Sequence, residues 1–153
     1  MFNGVQDVSI DRKGRLAIPT KFREILFSLR SPTLCATLKN RQYLLLYPED
    51  NWAAVREALM NLPISGNRIL QQFQQLVLGN MEKLQLDAAG RILIPPRLRN
   101  LLEFGLDKEV VLVGRADRLE IWGKVRWDQE TNAILDMDPA ILETELSQTN
   151  LRI

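Results

Sequence analysis

The sequence predicts a mixed β and α fold, built from two internal repeats with helices at the periphery. A nine-residue turn motif occurs twice, apolar residues alternate with the strand period on either side of it, and apolar stripes at helical spacing lie between and after the copies. The motif reads "DRKGRLAIP" at residues 11–19 and "DAAGRILIP" at 87–95, an offset of 76.

Aligning 11–26 with 87–102 gives the identities Asp11/Asp87, Gly14/Gly90, Arg15/Arg91, Ile18/Ile94, Pro19/Pro95, Arg23/Arg99 and Leu26/Leu102. At ordinary residue usage, chance supplies about one match in such a window. The likeness continues downstream, where "LLLYPEDNW" (44–52) matches "LEIWGKVRW" (119–127) through Leu44/Leu119, Tyr47/Trp122 and Trp52/Trp127 at an offset of 75. The chain is an internal duplication.

Each copy begins with a strand. Val8 and Ile10 alternate into the turn, and Leu16 and Ile18 alternate out of it. Asp first and Gly fourth in Asp11-Arg12-Lys13-Gly14 is the preference of a type I turn, and a left-handed Gly14 would close a three-residue hairpin loop. Asp87 and Gly90 take the same places in the second copy. A period of two then sends Leu16 and Ile18 inward, and Arg15 and Ala17 to the opposite face. Pro19 closes the strand, and Phe22, Ile25, Leu26 and Leu29 follow at helical spacing, as Leu98, Leu101 and Leu102 do after Pro95. Two further strands complete each copy, "TLCATL" with "YLLLYP" and "EVVLVG" with "RLEIWG".

Between the copies, Trp52, Val55, Leu59 and Leu62 share one helix face before Pro63. Ile69, Leu70, Phe73, Leu76 and Val77 share a face of a second helix that Gly79 ends. Asp138-Pro139 reads as an N-cap with proline at N1, opening a terminal helix with Ile141, Leu142 and Leu146. The expected organisation is a first repeat at 1–50, a helical insert at 51–79, a second repeat at 80–124 and an acidic helical segment at 125–153. Neither copy is long enough to close a core alone, but the pair is.

The net charge of the 153 residues is +1, so bulk charge does not announce a nucleic-acid binder. The distribution does more. Residues 11–30 hold Arg12, Lys13, Arg15, Lys21, Arg23 and Arg30 against Asp11 and Glu24, a local +4, whereas 127–153 sum to −5. A basic face toward an anionic partner follows, with two solvated faces of opposite sign as the bland alternative. Cys35 is the single cysteine, so no internal disulfide forms, and its apolar strand context makes it a core residue. The N-terminus lacks a signal-peptide pattern, and no apolar run approaches the ~18 residues of a membrane span. A cytoplasmic protein is expected.

Catalysis is disfavoured. The chain has no histidine, no phosphate loop, no dinucleotide fingerprint and no metal-ligand cluster. Asp11 and Asp87 could be paired carboxylates, but turn formation explains both. No cofactor, metal or small-molecule substrate is expected. The arginines remain: Arg15 and Arg91 follow each turn, and guanidinium groups on a rigid two-stranded ribbon suit phosphate contacts and guanine readout in a major groove. The alternative is a surface arginine paired to an acidic neighbour.

At these residues the chain resembles a known family. "DRKGRLAIPTKFRE" and "DAAGRILIPPRLRN" look like the signature of SpoVT-AbrB-type domains. Two such motifs around a helical insert, with "LLLYP", "RILQQFQQLVLGN" and "LEIW", are similar to the MraZ family of bacterial transcriptional regulators over essentially the whole chain. The resemblance implies a swapped-hairpin, AbrB-like β-barrel formed by the two copies. It also implies a nucleoid-associated protein that forms ring-shaped homo-oligomers. Its expected partner is double-stranded DNA with tandem direct repeats upstream of its own gene, in the division and cell-wall cluster, where it acts mainly as a repressor. By motif position Lys13, Arg15 and Arg91 would contact DNA, with Arg12, Lys21 and Arg23 as further basic candidates. The second copy departs from the pattern, with Ala88 and Ala89 where Arg12 and Lys13 stand. An oligomeric protein-interaction scaffold on the same barrel is the main rival, and an antitoxin-like regulator a lesser variant.

Overall fold

The computed structural model describes residues 1–29, 32–104 and 108–153. Arg30, counted among the cations of the basic stretch, lies outside the described residues. The first copy runs β1 (Phe2–Ser9), β2 (Arg15–Ala17), α1 (Thr20–Phe27), β3 (Thr33–Thr37), β4 (Tyr43–Pro48) and α2 (Glu49–Met60). After α3 (Arg68–Gly79), the second repeats the order as β5 (Glu82–Gln85), β6 (Arg91–Leu93), α4 (Pro96–Leu101), β7 (Glu109–Ala116), β8 (Leu119–Gly123) and α5 (Lys124–Leu135). The last helix is α6 (Pro139–Leu146), where the Asp138 carboxylate accepts from the Ala140 N–H and Pro139 stands at N1. α2, the first helix expected in the insert, and α5, in the expected acidic helical segment, follow the two strand pairs in the same way and hold the matching Trp52 and Trp127.

Strand pairing exchanges the copies. A six-stranded antiparallel sheet has the order β1-β7-β8-β4-β3-β5, and a separate two-stranded sheet pairs β2 with β6. Swapping the copies reverses the order onto itself, so a pseudo-twofold passes between β4 and β8 and between β2 and β6. The expected local hairpin keeps only its tip: the loop closes through the Asp11 N–H donating to the Arg15 carbonyl at 2.9 Å and through the Ile10–Leu16 bridge, and Val8 does not pair across the turn. β1 instead lies against β7 in register from Phe2↔Ala116 to Ser9↔Glu109. The reason is length: a three-residue β2 cannot satisfy the backbone of an eight-residue β1, whereas the eight-residue β7 can. Among the described residues the ladders stop at β1 and β5. The expected exchange between copies is present; no closed barrel is formed among the described residues, where β2 and β6 make a separate two-stranded ribbon.

The sheet is covered on both faces. One core lies under the ribbon and the short helices, where Leu16, Ile18, Phe22, Leu26, Ile92, Ile94 and Leu98 are almost wholly buried. The second lies under α2 and α3, around Cys35, Tyr47, Trp52, Val111 and Trp122. Two-sided burial explains why "YLLLYP" is buried at every position rather than alternately. Burial also pushes the Cys35 thiol above its ordinary value, in keeping with a packed, unreactive side chain.

Two helix faces differ from expectation. Leu29 falls beyond the end of α1 and is exposed, and on α3 only Val77 is fully buried while Ile69 is 77% exposed. α3 touches the body mainly through its C-terminal turn, where the Thr37 hydroxyl donates to the Val77 carbonyl at 2.6 Å. Among the described residues no helix is long and apolar enough to cross a membrane.

The ribbon holds its place through Leu16 and Ile92, which face each other in the ladder and are 0% exposed. Ile92→Ala should cost about 2–5 kcal/mol of stability in urea unfolding, as cavity-forming core truncations do. An unchanged midpoint would show that the ribbon is not part of the core.

Candidate nucleic-acid interface

The two motifs meet on the β2–β6 ribbon. Its ladder pairs Arg15 with Leu93, Leu16 with Ile92 and Ala17 with Arg91. Bonds at both ends extend it: Ile94 N–H donates to the Gly14 carbonyl and Ile18 N–H to the Gly90 carbonyl, each at 2.9 Å. With Leu16 and Ile92 facing the core, Arg15, Ala17, Arg91 and Leu93 form the outer face. Arg15 and Arg91 are diagonal neighbours, about 7–8 Å apart by sheet geometry. Residues 76 apart in sequence thus stand side by side.

Each turn is organised by its aspartate. The Asp11 carboxylate accepts from the Lys13 and Arg15 backbone N–H groups, both at 2.9 Å, and from Arg15 Nε at 3.0 Å. Asp87 accepts likewise from Ala89 N–H, Arg91 N–H and Arg91 Nε at 2.9, 2.9 and 2.8 Å. Gly14 and Gly90 close the turns with φ of +81° and +75°, a left-handed conformation that disfavours any side chain. The backbone bond from the arginine holds both carboxyls below their ordinary value, with the other turn bonds adding to it and desolvation opposing it. Both aspartates are thus spent on turn geometry and do not face each other as a catalytic pair.

The ion pairs have a second effect. Each arginine is oriented by its Nε, so its two terminal nitrogens form the free edge of the fork. The first turn carries Arg12, Lys13 and Arg15 against Asp11, formally +2; in the second, Arg91 meets Asp87 and the sum is zero. Arg12 and Lys13 are both exposed. The charge of the ribbon therefore sits at one end.

The remaining basic candidates lie elsewhere. Arg23, on α1, packs across the second turn: a Cβ on Gly90 would meet its Cδ at 2.5 Å. Its NH2 donates to Thr20 Oγ1 at 2.8 Å, and its Nε is buried without a partner among the described residues. Arg99, on α4, covers the first turn in the same way, its guanidinium 3.1 Å from where a Gly14 Cβ would sit and its Nε donating to the Ile94 carbonyl. Each turn is braced by an arginine of the other copy. Lys21 leans over Gly4 and the Phe22 ring, away from the turns. Two outer-face features escaped the sequence reading: Arg99 as a brace, and Leu93, 53% exposed between the two arginines. The phase of "RIL", outward-inward-outward, carried the signal for Leu93.

Fold and site together define a class: a duplicated-hairpin protein whose copies exchange strands to present one rigid ribbon with a basic turn. The family model described as "MraZ protein, putative antitoxin-like" matches residues 1–67 and 77–147. The chain is 49% identical over 153 residues to a "Transcriptional regulator MraZ" of Neisseria gonorrhoeae, covering all of both chains. It is 48% identical over 153 residues to that of Neisseria meningitidis, again covering all of both. To that of Chromobacterium violaceum it is 47% identical over 151 residues, covering 99% of this chain and 100% of the relative. The chain belongs to the MraZ family, and the resemblance read from its motifs holds across its length.

The aspartates set an acid limit. A carboxyl depressed on folding contributes stability above its unfolded value, about 3.9, and loses it as pH falls through the folded value. Asp11 and Asp87 should therefore titrate by NMR below that value. The turn amides of Arg15 and Arg91 should lose their hydrogen-bonded shifts in the same acid range, and Asp11→Asn should remove the transition from the first turn only. An ordinary titration at both residues would show that the turn bonds do not form in solution.

Proposed function

We propose that this protein is a sequence-specific DNA-binding transcriptional regulator without catalytic activity. It acts mainly as a repressor of the division and cell-wall gene cluster, its own promoter included, and binds tandem direct repeats as a ring-shaped homo-oligomer in the nucleoid-associated cytoplasm. The observation that carries the reading is the ribbon: Arg15 and Arg91 stand as diagonal neighbours on its outer face, each held through Nε by its own aspartate, with Arg12 and Lys13 at one end. Full-length kinship with proteins named transcriptional regulators supports it. The repeats at 1–50 and 80–124 supply the ribbon, and the helical segments at 51–79 and 125–153 lie apart from it, with α2, α3 and Trp127 packed on the other face of the sheet.

A two-stranded ribbon fits a B-DNA major groove about 12 Å wide. Arg15, its Nε held by Asp11, offers its free edge to guanine O6 and N7, the commonest specific contact. Lys13 is placed for a phosphate, Arg12 supports it, and Arg91 contributes from the far diagonal. Ala17 and Leu93 between them form a small apolar surface suited to a thymine methyl. Arg23 and Arg99 keep the turns in place, and Lys21 contributes only to the field. The turn is armed in one copy because one end of the ribbon leads into the groove.

Promoter DNA in a mobility-shift assay tests this directly, the scaffold reading being the one that survives if no shift occurs. Arg15→Ala should abolish preference for the promoter over random DNA and change stability by no more than about 1 kcal/mol, the range of an exposed ion pair. Lys13→Ala should weaken all sequences alike and reduce the salt slope by about one unit. Ala89→Lys should change affinity less than Lys13→Ala does, and effects of equal size would mean that the two copies meet DNA symmetrically.

A single basic turn makes few charge contacts, so strong binding requires several subunits on one DNA. Head-to-tail assembly sets identical turns at a fixed spacing, which calls for direct repeats, and avidity then adds about 10²–10⁴ in affinity. Affinity should climb steeply from one repeat to three and collapse when half a helical turn is inserted between repeats. If one repeat binds as tightly as three, the avidity mechanism is wrong.

A further inference from the structure

α2 and α3 meet the sheet from one side without closing over it. Between them lies a groove of about 300 Å³, lined by Trp52 and Leu59 of α2, Phe73 and Val77 of α3, and Leu45 and Tyr47 of β4. Apolar walls left in water ordinarily close on one another, because contact removes their surface from water. Here polar bonds hold the helices in place. Gln74 Nε2 donates to the Leu59 carbonyl at 2.8 Å and Gln71 Nε2 to the Ile64 carbonyl at 3.1 Å, while the Thr37 hydroxyl ties the Val77 carbonyl to β3 at 2.6 Å. The groove is thus built into the fold. It lies on the face of the sheet opposite the ribbon, and DNA binding makes no use of it.

The lining carries one charge. Among the described residues Lys39 is the only ionic side chain at the groove; it is exposed and has no carboxylate partner. Its Nζ stands 5.8 Å from the centroid of the Tyr43 ring, which packs in the core beneath α2 and α3. An ammonium without a counter-charge beside an apolar groove is complementary to an anion with an apolar body. A single lysine is a point charge, so it matches one negative charge and leaves a phosphate dianion incompletely paired. The volume stands at the low end of small-molecule sites, roughly 300–1,000 Å³. At about 30 Å³ for a group the size of water, it takes about ten non-hydrogen atoms. We propose that the groove binds a small apolar monocarboxylate, with its chain between α2 and α3 and its carboxylate on Lys39. Octanoate has about that size.

Titration of the full-length protein with octanoate, followed by NMR, tests the site. The Trp52 indole N–H and the amides of α2 and α3 should shift along one saturable curve, with a dissociation constant of about 1 mM or tighter. The amides of Arg15 and Arg91 on the ribbon should stay in place. Octylammonium, of the same length and opposite charge, should bind about tenfold more weakly, since attraction is replaced by repulsion. Lys39→Met should weaken octanoate about three- to fivefold, and Lys39→Glu should invert the preference toward octylammonium. Ala58→Phe, at an exposed position of the lining, should fill the groove and abolish binding of both. Circular dichroism checks the fold, and Ala58→Leu takes its place should that variant unfold. Octanoate shifts that do not saturate, that fall outside α2, α3 and the sheet beneath them, or that persist unchanged in Ala58→Phe overturn the groove as the site. Equal affinity for octanoate and octylammonium, or a preference untouched by Lys39→Glu, overturns the role of the lysine and with it the carboxylate. Promoter binding is read separately in the mobility shift, so the regulator reading stands or falls apart from these outcomes.

Discussion

The exchange of backbone hydrogen bonds between the two motifs is the constraint from which the rest of the molecule follows. Gly14 accepts from Ile94 and Gly90 from Ile18, and these bonds lock the short ribbon at both ends. They require each glycine to turn left-handed and each aspartate to fold its carboxylate back onto its own turn. Once the ribbon is set, Leu16 and Ile92 can point only inward, and Arg15 and Arg91 only outward. The helices that follow Pro19 and Pro95 then carry Arg23 and Arg99 over the opposite turns. A single chain reproduces the logic of a symmetric dimer, with each half completing the other.

Duplication also freed the halves to differ. Shape is shared: both turns have the same aspartate bonds, the same positive φ and the same arginine brace. Charge is not. Replacement of Arg12 and Lys13 by Ala88 and Ala89 leaves the second turn neutral without altering its backbone, because Asp87 still accepts from the Ala89 N–H. A rigid support needs both turns, whereas a pointed electrostatic contact needs only one. The neutral copy is therefore no relic: its β7 carries β1, and its Arg99 holds the charged turn.

The buried Glu120 shows how the sheet tolerates a charge in its interior. It is 0% exposed, yet it accepts from Trp122 Nε1 at 3.0 Å and Arg118 Nε at 3.1 Å, with Arg115 at 3.5 Å. Arg118 lies in turn 6.0 Å from the Tyr47 ring. The network fastens the β7–β8 corner to the first copy's β4. A buried carboxylate with these donors is a satisfied structural group, since its lone pairs and charge are both matched.

Much of this was legible in the residues alone, wherever the signal is local. Turn type, strand phase and the Asp138 cap depend on neighbours within a few positions, and these appear as read; the duplication needs only the chain aligned with itself. The outward phase of Arg15 followed from a period of two. What tertiary structure decided was partnership. Alternation cannot say which strand lies beside β1, because Val8 and Ile10 alternate equally well against β2 or β7. Length and backbone satisfaction across the whole sheet choose β7. Nor could charge alone separate Arg15, oriented outward by Asp11, from Arg23, folded over a glycine of the other copy. The two are eight residues apart in one basic stretch, and only the packing of the second repeat gives them different surroundings.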